Sequence, residues 1–490
     1  MNLNKLILGA FATILLASLS ACGGGGSGDS LTPPPPNPPP TGGIGRNGVA
    51  VGPIATFGSI VVNGVRYDTS SATFSFDGET GSEAELKVGQ VVSVKGTIND
   101  DGSTGTADEV SFDDAVKGPV DSIDLAAKQL VVLGQTVLIS LDTSFDDSFS
   151  PASLEGVSVG QIIEVSGQFD ANGNIVATRI EPKPAGTVFE VHGNVTALDA
   201  TAMTFSLNAL VVDYSSATMD NFVGSIAEGD FVEAKGTSLG AAGELLATKV
   251  ELEGVLPGAV DGDRIELEGF ITRFVSATDF DVAGTPVTTT GTTTFEGGVA
   301  ADLGLNIKVE VEGDLNASGT IVATKVDIRR SKAVRAVADV DSIDAANNSL
   351  VVLGITVTVD TLTRLEDKSS ADVDPLTLND INVGDYLEIR GSEFPAGSGT
   401  IHATILERED PDTEAILQGF VDTISDPNLT ILGVTIETSG ATVFRDINDN
   451  VISAADFFNQ VNTNSLVKAK GTEVSDMVIS ATEVEFEFEI

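Results

Sequence analysis

The phrase GNIVATRIE (residues 173–181) returns along this chain with few changes. It is found again as GELLATKVE (residues 243–251), GTIVATKVD (residues 319–327) and GTIHATILE (residues 399–407). Apolar and polar residues alternate within it, which is typical of a β-strand with one buried face. A strand sequence that recurs several times along a chain predicts a repeated domain, so the repeat is defined first.

A second phrase fixes the length of the repeat. It reads GQVVSVKG at residues 89–96, GQIIEVSG at 160–167, GDFVEAKG at 229–236 and GDYLEIRG at 384–391, and weaker forms end at Gly313 and Gly471. Its closing glycines lie between 69 (236 − 167) and 80 (471 − 391) residues apart. We assign six repeats to residues 51–114, 115–184, 185–256, 257–330, 331–410 and 411–490.

Each repeat carries the same internal order. An opening strand is followed by a glycine-centred hairpin such as LVVLGQTVLI (residues 130–139), and then by a connector that begins near Thr143, Thr293 or Thr442. A short helical turn, the V-x-V-x-G strand and the closing strand complete the repeat. This order predicts an all-β fold of six tandem OB-like five-stranded barrels, each with one short helical turn. A small sandwich of similar strand content is the alternative.

The side-chain parity of the closing strand stays open at this point. Ile175 and Ala177 are expected to face the barrel interior, but a shift of one residue would reverse the two faces. The linkers between repeats are short, so we expect neighbouring barrels to touch and to form a rod or an arc.

The N-terminus predicts a secreted, lipid-anchored protein. Residues 1–21 combine Lys5, an apolar run and small residues, as in a signal peptide. Residues 19–22 (LSAC) resemble the bacterial lipobox, so we expect Cys22 to carry lipid; a buried cysteine near an ordinary cleavage site is the alternative. Gly23 follows the cysteine, which implies the outer membrane of the bacterial cell envelope, with the body on its periplasmic or surface face. The Gly- and Pro-rich linker at residues 22–50 is expected to be disordered.

The charge of the chain excludes one class of partner. Asp and Glu number 72 against 26 Lys and Arg, a formal net charge of −46. Nucleic acid binding requires clustered cations, and no such cluster is present in the sequence. We therefore expect no nucleic acid partner, and we expect the membrane to be reached through the N-terminal lipid rather than through charge.

The sequence contains few residues in patterns typical of a catalytic site. Its two histidines, His192 and His402, fall in different repeats and at different positions of the repeat, and other repeats carry Val176 and Val322 where His402 stands. No spacing typical of a catalytic cluster or a phosphate-binding loop surrounds them. We predict a protein that is not an enzyme and has no cofactor, with calcium as the one ion to consider.

The calcium candidate is DINDNVISAADF (residues 446–457). Oxygen-bearing side chains recur there at Asp446, Asn448, Asn450 and Asp456, as in an EF-hand loop. Val451 occupies the sixth place, where such loops use glycine, and the other repeats lack the ligand set. An acidic, solvated connector is the alternative interpretation.

The opening segment ATFGSIVVNGVRYDTSSATFSFDG (residues 55–78), with LKVGQVVSVKG and VKGPVDSID after it, resembles a bacterial envelope family, the domain of unknown function 5666. The resemblance implies tandem small β modules in secreted or lipid-anchored proteins and supplies no activity or site residues. We therefore predict a non-enzymatic spacer or interaction scaffold with an unknown envelope protein or polysaccharide as partner. A calcium- or polysaccharide-binding surface protein is the alternative.

Overall fold

The computed structural model describes residues 46–56, 60–99, 101–254, 256–329, 333–395, 397–463 and 465–487. The chain divides into a unit of residues 1–41 and a compact unit Gly42–Ile490, and every described residue belongs to the second. The predictions for the signal peptide, for Cys22 and for the linker up to residue 45 lie outside the described residues. The first strand begins at Arg46, five residues (51 − 46) before the predicted start of repeat 1.

Repeat 5 shows the path that all six repeats share. Its first strand (Val334–Asp344) forms antiparallel pairs with the second (Ser349–Val352), and the second pairs with the third (Ile355–Thr358). The third strand runs parallel to the last strand (Thr400–Glu409), which is antiparallel to the fourth (Tyr386–Glu393). The fourth strand returns to the first and closes the barrel. The predicted OB-like barrel is therefore confirmed.

The other repeats use strands of similar length, with short additional strands in the connectors. Repeat 5 adds Arg364–Asp367. Repeat 1 has Arg46–Thr56, Ile60–Val62, Val65–Asp68, Thr73–Phe76, Glu79–Gly81, Val91–Ile98 and Thr104–Phe112. Repeat 2 has Val116–Asp124, Gln129–Val132, Gln135–Leu138, Ser144–Phe145, Ile162–Phe169 and Ile175–Pro182. Repeat 3 has Phe189–Asn194, Thr196–Asp199, Thr204–Leu207, Leu210–Asp213, Thr218–Asp220, Phe231–Leu239 and Leu245–Leu252. Repeat 4 has Arg264–Ser276, Asp279–Val282, Thr285–Glu296, Lys308–Leu315 and Ile321–Ile328. Repeat 6 has Ala415–Ser425, Asn428–Ile431, Val434–Glu437, Val443–Arg445, Val451–Ile452, Leu466–Ser475 and Val478–Phe486.

The predicted helical turn before the fourth strand is present in five repeats. It is a 3-10 turn at Glu83–Glu85, Leu154–Gly156, Ala300–Asp302 and Leu378–Asp380, and a seven-residue α-helix, Ala454–Gln460, in repeat 6. A further 3-10 turn, Ala345–Asn347, lies in the first hairpin of repeat 5. Repeat 3 departs from the pattern, because residues 221–230 are all described and contain no helix.

The repeated glycine of V-x-V-x-G has a definite structural cause. In every repeat the ladder between the fourth and last strands shifts register at this glycine, from Lys95/Gly96 in repeat 1 to Lys470/Gly471 in repeat 6. A Cβ atom at Gly391 would lie 2.1 Å from the carbonyl oxygen of His402 on the last strand. The bulge bends the two strands sharply enough to close a small barrel, and only glycine leaves room for it.

The threonine of IVATKV completes the same bulge. In repeat 2 the extra residue is Thr178, whose hydroxyl donates to the carbonyl of Ser166 at 3.1 Å. The matching threonines of repeats 3 to 6 make the same bond, at Thr248, Thr324, Thr404 and Thr482. Because one residue is inserted, Ile175, Ala177 and Ile180 all face the interior and are fully buried. This confirms the expected inward direction of the first two and settles the parity.

The barrels associate in pairs through their first strands. Repeats 2 and 3 pair at Val116 and Val191, and repeats 5 and 6 pair at Ala336 and Leu417, both antiparallel. The first strand of repeat 1 instead runs parallel to that of repeat 4, across Gly48–Val51 and Arg264–Leu267. The expectation of a simple series of touching neighbours is wrong here, because backbone hydrogen bonds join two repeats that are far apart in the sequence.

Candidate functional site

The outward faces of the barrels form the contacts between repeats. Polar residues on the first, fourth and last strands point away from the barrel interiors, yet many of them are buried. Those at most 9% exposed include Glu164, Arg179, Glu233, Glu266, Glu310, Arg390 and Glu407. Repeat 2 contacts each of the other five repeats. Ser166 contacts repeat 1, Val116 contacts repeat 3 and Gln168 contacts repeat 4. Asp142 contacts repeat 5, and Lys128 contacts repeat 6. Buried charge between the barrels is thus the most unusual chemistry of the molecule.

One group of buried charges lies where repeats 1, 2 and 3 meet, and we call it the acid junction. Its members are Asp77, Asp113, Asp114, Lys117, Glu164, Glu190, Glu233 and Lys235. The ammonium group of Lys117 lies 2.6 Å from Asp77, 2.9 Å from Asp114 and 2.7 Å from Glu190. Lys235 lies 2.8 Å from Glu233. Glu164 pairs with a third ammonium group, that of Lys183, at 3.0 Å, so the six carboxylates outnumber the ammonium groups beside them.

Several carboxylates of the acid junction have raised pKa values. Burial is the main cause for Glu164 and Glu233, whose pKa values rise to about 7 and about 8. Burial and the neighbouring Asp77 raise the pKa of Asp113 to about 6. Burial also lowers the pKa of His192, which packs against Phe231 near Glu233, to about 4, so this histidine is neutral at pH 7. The acid junction therefore holds protons that exposed carboxylates would release.

A second group lies between repeats 2 and 5, and we call it the arginine junction. Its members are Arg179, Arg335, Arg364, Lys368, Glu388, Arg390 and Glu407, with backbone carbonyls of repeat 2. Arg390 pairs with Glu407 and Glu388 and donates to the carbonyl of Thr143 at 2.8 Å. Arg364 donates to the carbonyl of Asp142 at 2.6 Å. Glu181 and Glu366 pair with Arg179, and Asp142 pairs with Arg364, so every cation of this set has an acidic partner.

The pKa shifts of the arginine junction have the opposite sign. Burial alone would raise the pKa of Glu388, but Arg335 and Arg390 outweigh it and hold the pKa well below its usual range. Burial is likewise outweighed at Glu407, whose pKa is lowered by Arg390 and Lys368. These carboxylates stay ionised throughout the neutral range, and their charges are matched.

A cavity of about 360 Å³ opens where repeats 1, 4 and 5 meet. Its wall contains His402, whose Nε2 lies 3.1 Å from Oδ2 of Asp360. This hydrogen bond raises the pKa of His402 above its ordinary value. Arg329 and Lys308 of repeat 4 also line the cavity. Such an arrangement can hold a small polar molecule, because the wall offers both hydrogen-bond donors and acceptors.

The four residues of the calcium prediction fall in two structural settings. The carboxylate of Asp446 accepts hydrogen bonds from the backbone amides of Asn448 and Asn450, both at 2.9 Å, and closes a hairpin turn. Asp456 lies in the first turn of helix Ala454–Gln460, where its carboxylate accepts from Ser453 at 2.6 Å. The carboxylate of Asp446 is thus already hydrogen-bonded within the turn. Calcium binding by these residues stays a prediction.

The two histidines lie on strands, as the sequence indicated. His192 is on the first strand of repeat 3 and is buried in the acid junction, whereas His402 is on the last strand of repeat 5 and faces the cavity. The junction residues were not singled out from the sequence, because alternating charges on a strand usually indicate a solvated face. One signal was available: Asp113 and Asp114 stand together at the boundary of two repeats.

Within the part of the chain that the structure describes, no helix is long and apolar enough to cross a membrane. No curated protein matches this chain. A solved structure, drosophila Unr CSD456, is 14% identical, covers 44% of this chain and 97% of its own, and has a TM-score of 0.12, which is too low to carry an argument.

The family comparison covers most of the chain. The model of the domain of unknown function DUF5666 matches residues 50–111, 117–181, 192–251, 268–327, 339–405 and 418–485. Each match falls on one closed barrel of the structure. The chain therefore belongs to the DUF5666 family and contains six tandem copies of its domain.

Proposed function

We propose that this protein is a lipid-anchored, non-enzymatic scaffold of the bacterial cell envelope, held at the outer membrane by Cys22. The observation that carries the proposal is the association of six barrels into one compact unit through strand pairing and buried charge. A body of this kind keeps its surfaces in fixed relative positions, which is what a scaffold requires. Its partner is an envelope protein or a polysaccharide.

The sequence before the barrels supports the anchor. The lipobox-like LSAC at residues 19–22 precedes a linker of glycine, serine and proline, a composition that separates a folded body from a surface. One acyl chain gives only marginal binding, whereas the several chains of a bacterial lipoprotein hold a protein stably on a membrane. The strongly negative body would otherwise be repelled by an anionic membrane surface.

Cell fractionation tests this proposal. The unaltered chain is expected in the outer-membrane fraction, Cys22→Ser is expected in the soluble fraction, and mass spectrometry of the N-terminal peptide should find lipid on Cys22. Ser27→Ala, in the same linker, is the matched control and should behave as the unaltered chain. An unmodified Cys22, or a Cys22→Ser protein that stays on the membrane, would show that the anchor is wrong.

A capture experiment tests the scaffold itself. The anchored chain, isolated from envelope extract after mild crosslinking, should retain the same partner in repeated preparations. A variant with the junction between repeats 2 and 5 broken, Arg390→Leu, should lose it. Retention of the partner by a variant whose barrels have separated would contradict a scaffold made of the whole body.

A further inference from the structure

The cavity where repeats 1, 4 and 5 meet has the size and position of a ligand site. Its volume of about 360 Å³ falls in the range of small-molecule pockets, which commonly lie between domains. Pro53 and Ala55 of repeat 1, Lys308 and Arg329 of repeat 4, and His402 of repeat 5 all contribute to its wall. The cavity therefore exists only in the assembled body and in no single barrel.

Most charges on its wall are paired with each other. Lys308 lies 2.9 Å from Glu268, and Arg329 lies 2.6 Å from Asp327. His402 and Asp360 form a third pair at 3.1 Å. Arg364 and Glu296 also line the cavity and pair with residues outside it, Asp142 and Lys325. A formally charged ligand would have to break one of these pairs. A hydroxyl group, which donates and accepts, can instead bond to both members of a pair at once.

Apolar side chains complete the wall. Phe394 is 46% exposed, and its ring centroid lies 6.5 Å from that of His402 with the planes 75° apart. Leu362 and Ile328 add aliphatic surface to the same cavity. An aromatic ring beside paired polar groups fits a molecule with an apolar face and a rim of hydroxyls.

The chemistry of the wall is specific to repeat 5. His402 is the ladder partner of Ser392, and the equivalent position of repeat 2 is Val176, the partner of Gln168. Repeat 4 carries Val322 there, the partner of Asp314. The barrel therefore accepts an apolar residue at this point, and the histidine is not needed to build the fold.

We propose that this cavity binds a neutral saccharide of one or two pyranose rings. The apolar face of a sugar ring packs on Phe394, and its hydroxyls bond to the His402–Asp360 and Arg329–Asp327 pairs. This site does not depend on the lipid anchor. A negative result for sugar binding would leave the anchor proposal unchanged, and the reverse is also true.

The test uses the full chain carrying Cys22→Ser, which removes the need for detergent. The probes are glucose, galactose, mannose, N-acetylglucosamine and their disaccharides, with glucuronate and glucosamine as charged analogues, measured by saturation-transfer NMR and calorimetry. At least one neutral sugar is expected to bind saturably. His402→Val, which installs the residue of repeats 2 and 4, and Phe394→Ala should each weaken binding at least tenfold.

Phe420→Ala, a truncation of a similarly exposed phenylalanine of repeat 6 that does not line the cavity, is the matched control and should bind as the parent does. Circular dichroism and the unfolding midpoint check that each variant is folded. The proposal is overturned if no neutral sugar binds, if both cavity variants bind with the parent's affinity, or if glucuronate or glucosamine binds more tightly than every neutral sugar.

Discussion

The acid junction and the arginine junction both lie between barrels but differ in the pKa shifts of their carboxylates. Both use outward-facing residues of first and fourth strands. The acid junction adds Asp113 and Asp114, which follow the last strand of repeat 1, and the arginine junction adds residues of last strands and of the connector of repeat 5. At the acid junction burial raises the pKa values of Glu164 and Glu233, whereas at the arginine junction cationic partners lower the pKa values of Glu388 and Glu407. The comparison teaches that one backbone design can give interfaces with opposite responses to pH.

The largest expected effect comes from breaking the arginine junction. Arg390→Leu leaves Glu407 buried beside Lys368 alone, and removing one partner of a buried ion pair typically costs about 3–5 kcal/mol. Urea titration should show this loss in the free energy of unfolding. Arg273→Leu is the control, since Arg273 pairs with Asp279 and Asp281 at the surface, and it should change little. Equal small losses in both variants would show that the junction does not hold the repeats together.

Replacing a glutamate by glutamine removes a charge but keeps the shape of the side chain. This replacement should change the free energy of unfolding in opposite directions at the two junctions. Glu407→Gln should lower the free energy of unfolding by about 2–4 kcal/mol, because it removes one of the two buried carboxylates that pair with Arg390 and the one that pairs with Lys368. Glu233→Gln should instead raise it by about 1 kcal/mol at pH 8.5, because it removes a carboxylate that burial disfavours in its charged form. Both values follow from urea titrations at one pH. A loss of stability in both variants would contradict the assigned difference.

The effect of pH should follow from the same shifts. Glu164 and Glu233 have folded pKa values of about 7 and 8, above those of the unfolded chain, so the folded state takes up protons as the pH falls. Stability at the acid junction should therefore increase from pH 8.5 to pH 5.5. Glu388 and Glu407 have lowered pKa values, so the stability that these two carboxylates contribute should be constant in this range and fall below about pH 4.

Hydrogen exchange, corrected for the intrinsic effect of pH, can separate the two responses. The amides of Val116 and Val191 report on the acid junction, and those of Leu387 and Ile389 report on the arginine junction. The increase in protection from pH 8.5 to pH 5.5 is expected to be larger for the first pair, because two raised carboxylates, Glu164 and Glu233, lie at the acid junction and one, Glu409, lies beside the second pair. The same change at both would remove the basis of the comparison.

The smallest expected effect concerns the bulge that both junctions share. Thr404→Val removes a hydroxyl that donates to the carbonyl of Arg390 and should cost about 1 kcal/mol. Thr248→Val removes the same bond in repeat 3 at an exposed position, where water can replace it, and should cost less. Neither loss should depend on pH between 5.5 and 8.5, and a dependence seen in urea titrations would show that the bulge and the junction charges are coupled.

Much of the single barrel could be predicted from the sequence. The phrases V-x-V-x-G and IVATKV are visible because each glycine and threonine serves a local bulge, and a local requirement leaves the same residue in every copy. The Leu-Gly hairpin is local too: Leu133 and Gly134 both take positive φ, and Asp121 accepts from the amide of Gly134. The strand order follows from these signals.

The arrangement of the barrels could not be predicted, because it depends on contacts between distant residues. Gly48 pairs with Arg264 across more than two hundred positions, and no periodicity reports such a contact. The sequence pattern of alternating charges on a strand is the same whether that face of the strand contacts water or another barrel. For that reason Glu407 and Arg390 could not be recognised as interior residues, nor could His402 be placed beside a cavity built by three repeats.

The pairing of repeat 1 with repeat 4 tests the central claim most directly, since repeats in a simple series would keep them apart. Arg46 and Asp314 form an exposed ion pair at 3.1 Å across this boundary, 268 residues apart in the chain. In a Cys22→Ser background, Arg46→Cys/Asp314→Cys treated with a short bismaleimide should give an intramolecular crosslink, identified by mass spectrometry of the joined peptides. Absence of this crosslink, with both thiols shown to be reactive, would contradict the account.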